Sequence, residues 1–312
     1  APDRRFLVGL GKVEEIKGLL GPSGANLVVF FNVLNTMQQR NLEDFLGVKV
    51  IDRSRLILDI FARRARSQEG KLQVELAQLL YLLPRLTGKG IALSRLGGGI
   101  GTRGPGESKL ETDRRLIKVK IARIRQKLKA VIKNRDLQRQ NRSSLPVPLV
   151  SLVGYTSAGK STLFNALTGA DAFVSDKLFS TLDPLLRRVD LHGLHPGYYY
   201  ILSDTVGFIR SMPEELFTSF KATLEEARQA DIVLHVIDLS NPDWPGQKSE
   251  VEKVLRQLGI GQDRVISVFN KIDLLQDSDS PPAAGNPGEV GISAAERSGF
   301  GALQEEIFKR YF

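Results

Sequence analysis

The order of apolar and polar positions divides the chain into two stretches of alternating strand and helix with a long helical stretch between them. In the first, Phe6–Leu10, Leu27–Phe31 and Val48–Ile51 are short apolar runs bordered by glycine or polar residues. Runs of that length and border predict strands. Val13–Leu20, Met37–Leu46 and Arg55–Arg66 carry apolar residues at helical spacing. Residues 1–66 are therefore expected to form a small α/β subdomain with a mostly parallel sheet.

Residues 67–142 are expected to form a helical hairpin. Leu72, Leu76, Leu79, Leu80 and Leu83 mark one helix over 67–86. In 109–142, Leu110, Ile117, Ile124 and Val131 recur every seven residues, with Ile121 and Leu128 at the alternate positions. That is an a/d seam, and the helix at 67–86 is its obvious partner. Between them lies Gly97–Gly106, where six of ten residues are glycine and neither helix nor strand should persist.

Ser143–Pro148 reads as a linker, and 149–312 as a doubly wound α/β domain. Strands are expected at Leu149–Val153, Arg188–Leu191, Tyr199–Ser203, Ile232–Asp238, Val265–Asn270 and Val290–Ser293. Residues 276–289 are polar and rich in proline and glycine, which predicts a mobile surface loop.

Charge adds a second division. The net charge is +9. Residues 1–108 hold 16 basic and 10 acidic side chains, 109–142 hold 13 and 3, and 143–312 hold 15 and 22. A basic first half suggests a polyanion partner. Nucleic acid and a membrane surface are the rivals, but the seam is too narrow for insertion. With no cysteine, disulfides and thiolate metal sites are excluded. No apolar run approaches the ~18 residues of a membrane span, and no signal peptide is visible. A cytoplasmic, monomeric protein is expected. His192, His195 and His235 lack metal-ligand spacing, and Trp244 reads as packing.

The acidic half carries the chemistry. Gly154, Tyr155, Thr156, Ser157, Ala158, Gly159, Lys160 and Ser161 match G-x-x-x-x-G-K-S/T between an apolar strand and a helix. Backbone N–H groups of such a loop, through Thr162, cradle phosphates at a helix N-terminus. Lys160 supplies charge to the β and γ phosphates, and the Ser161 hydroxyl binds Mg²⁺. Asp204, Thr205, Val206 and Gly207 end a second strand; Asp204 suits the outer Mg²⁺ shell and the Gly207 N–H the γ-phosphate. Asn270, Lys271 and Asp273 end a third strand. The Asp273 carboxylate accepts from guanine N1–H and the 2-amino group, and a buried Asp273 would be left unpaired with adenine. Ser293, Ala294 and Ala295 lie where a backbone N–H reaches guanine O6.

Thr181, within Phe179, Ser180, Leu182 and Asp183, is expected to join Ser161 on Mg²⁺ when a γ-phosphate is present, as a switch. Lys160, Thr181 and Gly207 are the expected catalytic groups. Phe208 follows Gly207 and has no group to orient a water, so intrinsic hydrolysis should be slow.

These stretches, together with Gln39–Leu42, Ile57–Ala62, Glu69–Ala77, Glu107 and Asp113–Arg115, resemble the HflX family of the Obg–HflX translational GTPases over essentially the whole chain. The resemblance implies a cytosolic GTPase that binds the large ribosomal subunit and splits stalled or idle ribosomes. It also places Phe208 in the class whose water-orienting Gln is replaced by a hydrophobic residue. Ser157 stands where relatives usually have Asn, which argues against potassium activation. Leu185 and Leu186 replace the usual Thr pair. Many relatives carry a further domain beyond the position of Phe312.

Residues 67–142 are then expected to probe RNA. Gly97, Gly98, Gly99, Gly101, Gly104 and Gly106 would let the tip approach nucleotides closely. Arg95 and Arg103 flank it, while Arg114, Arg115, Lys118, Lys120, Arg123 and Arg125 would neutralise phosphates. The alternative is a regulatory GTPase whose basic half binds a protein or membrane surface.

Overall fold

The computed structural model describes residues 3–86, 105–140, 147–169, 185–191, 194–205, 207–208, 226–275 and 287–312; within 105–140 it describes the side chains of 111–131 and Lys133. The chain forms two compact units, one of residues 1–63 and 71–130, the other of 64–70 and 131–312.

Over residues 3–140 the elements are α1 (Leu10–Ser23), β1 (Leu27–Phe30), α2 (Thr36–Leu46), β2 (Lys49–Asp52), α3 (Arg53–Arg64), α4 (Gln68–Arg85) and α5 (Pro105–Gln140). β1 and β2 pair in parallel from Leu27↔Lys49 to Phe30↔Asp52. α2 starts sharply because Asn35 and Gln38 form a reciprocal capping box. It stops at Gly47, whose φ of 70° suits glycine. Phe6, Val13, Phe30, Leu34, Leu42, Leu46 and Val50 form the core there.

The strand expected at Phe6–Leu10 is absent. Asp3 and Leu7 exchange backbone hydrogen bonds of 3.0 and 2.9 Å in a tight turn, and Gly9 opens α1. Phe6 is buried in the shared core with Val13, Phe30, Leu42 and Val50 without joining the sheet. A five-residue apolar run broken by glycine satisfies burial either way, and here the turn wins.

The hairpin helices meet through Leu76, Ile121, Ile124 and Leu128, with Leu72, Leu79, Leu80, Leu83 and Ile117 around them. Glu75 and Lys120 pair across the seam at 2.6 Å. Val131 is half-buried, and the Leu110 side chain lies outside the described residues. Residues 97–104 also lie outside them. α5 already begins at Pro105, so the helix takes in the last two residues of the glycine-rich stretch. Proline suits a first helical position because its missing N–H has no partner to lose.

One charge network braces this unit. Asp52 is buried and accepts from Leu34 N–H (3.2 Å), Arg55 N–H (2.8 Å), Tyr81 OH (2.9 Å) and Arg85 (3.1 Å). Arg85 also lies over the Tyr81 ring, 3.4 Å from its centroid. A carboxylate held by four donors tolerates burial that an isolated charge would not.

The second unit contains β3 (Leu149–Gly154), α6 (Lys160–Thr168), β4 (Leu185–Asp190), β5 (Tyr199–Asp204), β6 (Ile232–Asp238), α7 (Trp244–Gln257), β7 (Val265–Asn270), β8 (Glu289–Gly291) and α8 (Phe300–Tyr311). The strand order is β4-β5-β3-β6-β7-β8, and only β4 runs antiparallel to its neighbour. β4 begins earlier than expected, at Leu185, which packs against the main core. β8 ends earlier than expected, at Gly291. Of the loop expected at 276–289, residues 276–286 lie outside the described residues.

Val150, Leu152, Leu163, Phe164, Leu202, Leu234 and Val268 fill one face of the sheet. Val153, Phe208, Val233, Val251 and Leu255 fill the other. β3 has neighbours on both sides, so the loop after it sits where the strand order reverses. That is where open α/β sheets place ligands.

Candidate functional site

The loop from Gly154 to Lys160 needs unusual backbone conformations. Gly154 has φ 153°, and a Cβ there would press into the Val236 carbonyl. Gly159 has φ 94°, and a Cβ there would overlap the Asn270 amide. Ser157 sits at φ 64° without being glycine, a conformation that Asn tolerates better than Ser. α6 then starts at Lys160, with its first N–H groups at the loop.

Lys160 is only 7% exposed. Its ammonium donates to Tyr155 O (2.8 Å) and Gly154 O (3.2 Å). Burial pushes its pKa down to about 8, and the nearby Asp204 carboxylate opposes that shift. Ser161 Oγ donates to Asp204 Oδ2 at 2.9 Å, and both residues are buried. Thr205 Oγ1 donates to Leu152 O at 2.6 Å, fixing the start of the next loop to β3.

Gly207 lies close against this group. A Cβ there would come within 2.9 Å of the Lys160 ammonium and 3.0 Å of Thr156 Cγ2. Phe208 pairs with the phosphate loop: its N–H donates to Gly154 O (3.0 Å) and its carbonyl accepts from Thr156 N–H (2.8 Å). Its ring is buried with Val153, Ala227, Ala230 and Val233. Val206 and the segment Phe179, Ser180, Thr181, Leu182 and Asp183 lie outside the described residues.

The third motif is joined to the first through Asn270. Its amide donates to Ala158 O (2.8 Å), and its Oδ1 accepts from Ala294 N–H (2.9 Å). One side chain at the end of β7 thus ties the segments that follow β3 and β8 together. Ser293 is buried, and its Oγ accepts from Glu296 N–H at 3.1 Å. Asp273 lies in the short turn Ile272–Leu274 and is exposed. Ala295 is exposed and Thr162 is half-buried on α6.

Two features of this neighbourhood escape a reading of the sequence. Asp238 ends β6 opposite Asn270 and holds Lys271 at 2.6 Å. The other is the docking of Phe208 onto the phosphate loop, for which a D-x-x-G pattern carries no signal. His235 lies buried in β6, and burial drives its pKa down to about 3, so it stays neutral. His195 pairs with Glu305 at 2.8 Å and stacks on Phe308. His192 lies outside the described residues.

Known proteins match this arrangement along the whole chain. A family model described as "GTP-binding GTPase N-terminal" matches residues 1–62, and one described as "GTP-binding GTPase Middle Region" matches 64–142. A third, "50S ribosome-binding GTPase", matches 149–271. GTPase HflX of Caldanaerobacter subterraneus subsp. tengcongensis is 54% identical over 99% of this chain and 71% of its own length. GTPase HflX of Escherichia coli K12 is 46% identical over 99% of this chain and 73% of its own length. The chain belongs to the HflX family of GTPases. As an HflX-family protein it binds guanine nucleotide and hydrolyses GTP.

The fold is also that of a solved GTP-binding protein from Sulfolobus solfataricus in complex with GDP. The TM-score is 0.52 at 24% identity, over 100% of this chain and 88% of that one. No described helix is long and apolar enough to cross a membrane.

The HflX-family site also fits magnesium in its donor set. The Ser161 hydroxyl and the Asp204 carboxylate are hard oxygen donors 2.9 Å apart at the root of the phosphate loop. Bound there, the ion would neutralise charge on the phosphate oxygens.

Proposed function

We propose that this chain is a GTP-driven factor that docks on the large ribosomal subunit through its basic hairpin and dissociates stalled or idle ribosomes. The observation that carries the reading is the face of α5. Arg114, Arg115, Lys118, Lys120, Arg123 and Arg125 are all exposed, while the apolar seam beside them is occupied by α4. In sequence, residues 109–142 hold 13 basic and 3 acidic side chains, a natural match for RNA phosphates. Arg95, Gly97–Gly101, Arg103 and Gly104 lie outside the described residues, so the loop contributes only its sequence to this reading. The family matched over 149–271, described as a 50S ribosome-binding GTPase, points to the same target.

In the nucleotide unit, Lys160 and the N–H groups of Gly154–Thr162 hold the phosphates. Ser161 would bind magnesium directly, with Asp204 in its outer shell. Gly207 meets the γ-phosphate. Asp273 reads the guanine edge. Asp273 is exposed, so an arriving base is what covers it, and adenine would cover it without offering a donor. Ala294 already gives its N–H to Asn270, so Ala295 supplies the N–H for guanine O6.

Phe208 is apolar and 4% exposed, so it orients no water. Hydrolysis is slow in isolation, and large subunits raise it by roughly tenfold or more. The test is single-turnover hydrolysis with and without large subunits, alongside light scattering of whole ribosomes after GTP addition. Stimulated hydrolysis with a fall in scattering is expected. Fast hydrolysis indifferent to subunits, with constant scattering, would overturn the reading.

A protein surface is the second reading. Leu116 and Val119 favour it, being 59% and 43% exposed on the same helix.

A further inference from the structure

We infer that Asp238 is a positioning residue for guanine recognition: by holding Lys271 it sets the turn that aims Asp273. This rests on the reading that Asp273 meets the guanine edge.

Lys271 is the hinge of that turn. It leaves β7 with φ 66° and ψ 36°, a left-handed conformation that a residue with a long side chain adopts only under constraint. The next three residues form the short turn that carries Asp273, closed by Leu274 N–H donating to Lys271 O at 3.1 Å. A rotation at Lys271 therefore swings the Asp273 carboxylate.

Asp238 supplies the constraint. Its Oδ2 accepts the Lys271 ammonium at 2.6 Å. Its Oδ1 accepts from Ser240 N–H (3.0 Å) and Ser240 Oγ (2.6 Å). The two side chains are 12% and 29% exposed. Exposed ion pairs hold little, because two long side chains must be immobilised in water. This pair differs: the carboxylate is short, mostly buried and already fixed from its other side. Strand register places it, since Asp238 and Asn270 are Cα partners at the ends of β6 and β7.

The rest of the turn does not depend on the pair. Ile272 and Leu275 pack with Trp244, Phe269, Ile237 and Leu239, and Ile272 N–H donates to Ile292 O at 3.3 Å. Losing the ion pair should loosen the aim of Asp273 while the turn survives.

Inosine nucleotides report that aim, because they lack only the 2-amino group that Asp273 would accept from. The experiment is calorimetric titration of the full chain with GDP, IDP and ADP. The variants are Asp238→Asn, Lys271→Met, their double, and the milder Ser240→Ala, each with thermal unfolding measured in parallel. The unsubstituted chain should prefer GDP to IDP. Asp238→Asn and Lys271→Met should each narrow that ratio by roughly three- to tenfold. The double should narrow it no further than either single, since both remove one interaction. Ser240→Ala should narrow it less. If the variants lower the melting temperature but keep the full GDP/IDP ratio, the pair is only a structural tie and the inference falls. If the unsubstituted chain binds ADP as well as GDP, the reading of Asp273 falls instead.

Discussion

The nucleotide site and the basic hairpin both depend on charged side chains, and they hold them in opposite ways. In the site, Lys160, Ser161, Asp204 and Asn270 are buried, and each has named partners at 2.8–3.2 Å. On α5, Arg114, Arg115, Lys118, Lys120, Arg123 and Arg125 are among the basic residues that stand in solvent, with Lys120 tied to Glu75 at 2.6 Å. A buried polar group cannot be removed without orphaning its neighbours. An exposed one acts through charge density and can be replaced by the next along the helix. The site should therefore fail one residue at a time, and the hairpin only in aggregate.

Lys160 should give the largest effect. Lys160→Ala removes the preorganised charge from the phosphates, and kcat/KM for GTP should fall by roughly 10²–10³-fold. Steady-state hydrolysis measures this, and a loss below tenfold would break the contrast. Asn270→Ala comes next. It orphans the Ala158 carbonyl and the Ala294 N–H together, so GDP affinity should drop by about 1–3 kcal/mol, measurable by calorimetry. The same substitution at Lys118, which stands in solvent on α5, should leave stability within about 0.5 kcal/mol.

Acidity sharpens the comparison further. Burial lowers the Lys160 pKa to about 8, whereas a bound phosphate favours the charged form. Above that pH, binding must take up a proton, so affinity falls as pH rises. Between pH 7 and 8.5 the GDP association constant should weaken by about fourfold if no other group titrates. The sign for folding is opposite. The unfolded chain holds the Lys160 proton up to about its ordinary pKa of 10.5, so this group's contribution to stability rises from pH 8 upward. A pH-independent GDP affinity across that window would mean that Lys160 is not desolvated.

The candidate nucleotide site could be read from sequence because its parts are local. A glycine spacing, a lysine and strand ends that recur in fixed order need no knowledge of packing. Phe208 was legible as a missing water-orienter, but its burial against Val153 and Val233 was not, because that depends on partners far along the chain. The same holds for Asp238. It is an ordinary acid at a strand end until the register of β6 and β7 sets it opposite Asn270. The exposure of Asp273 was not legible, since a motif gives residue identity and not solvent cover. The hairpin seam was read from its heptads, and Ile121, Ile124 and Leu128 bury as they imply. The run Phe6–Leu10 misled because four apolar residues around a glycine specify burial without specifying a strand.

If the basic hairpin docks on ribosomal RNA when GTP is bound, its binding must depend steeply on salt. The measurement is co-sedimentation with large ribosomal subunits over a potassium chloride series, with a non-hydrolysable GTP analogue. It compares the unsubstituted chain with a variant carrying Arg114→Ala, Arg115→Ala, Lys118→Ala and Arg123→Ala. Log affinity should fall linearly with log salt, and the slope should shrink by roughly one for each phosphate that the variant no longer neutralises, while GDP affinity holds. Binding that ignores salt, or an unchanged slope in the fourfold variant, would contradict the account.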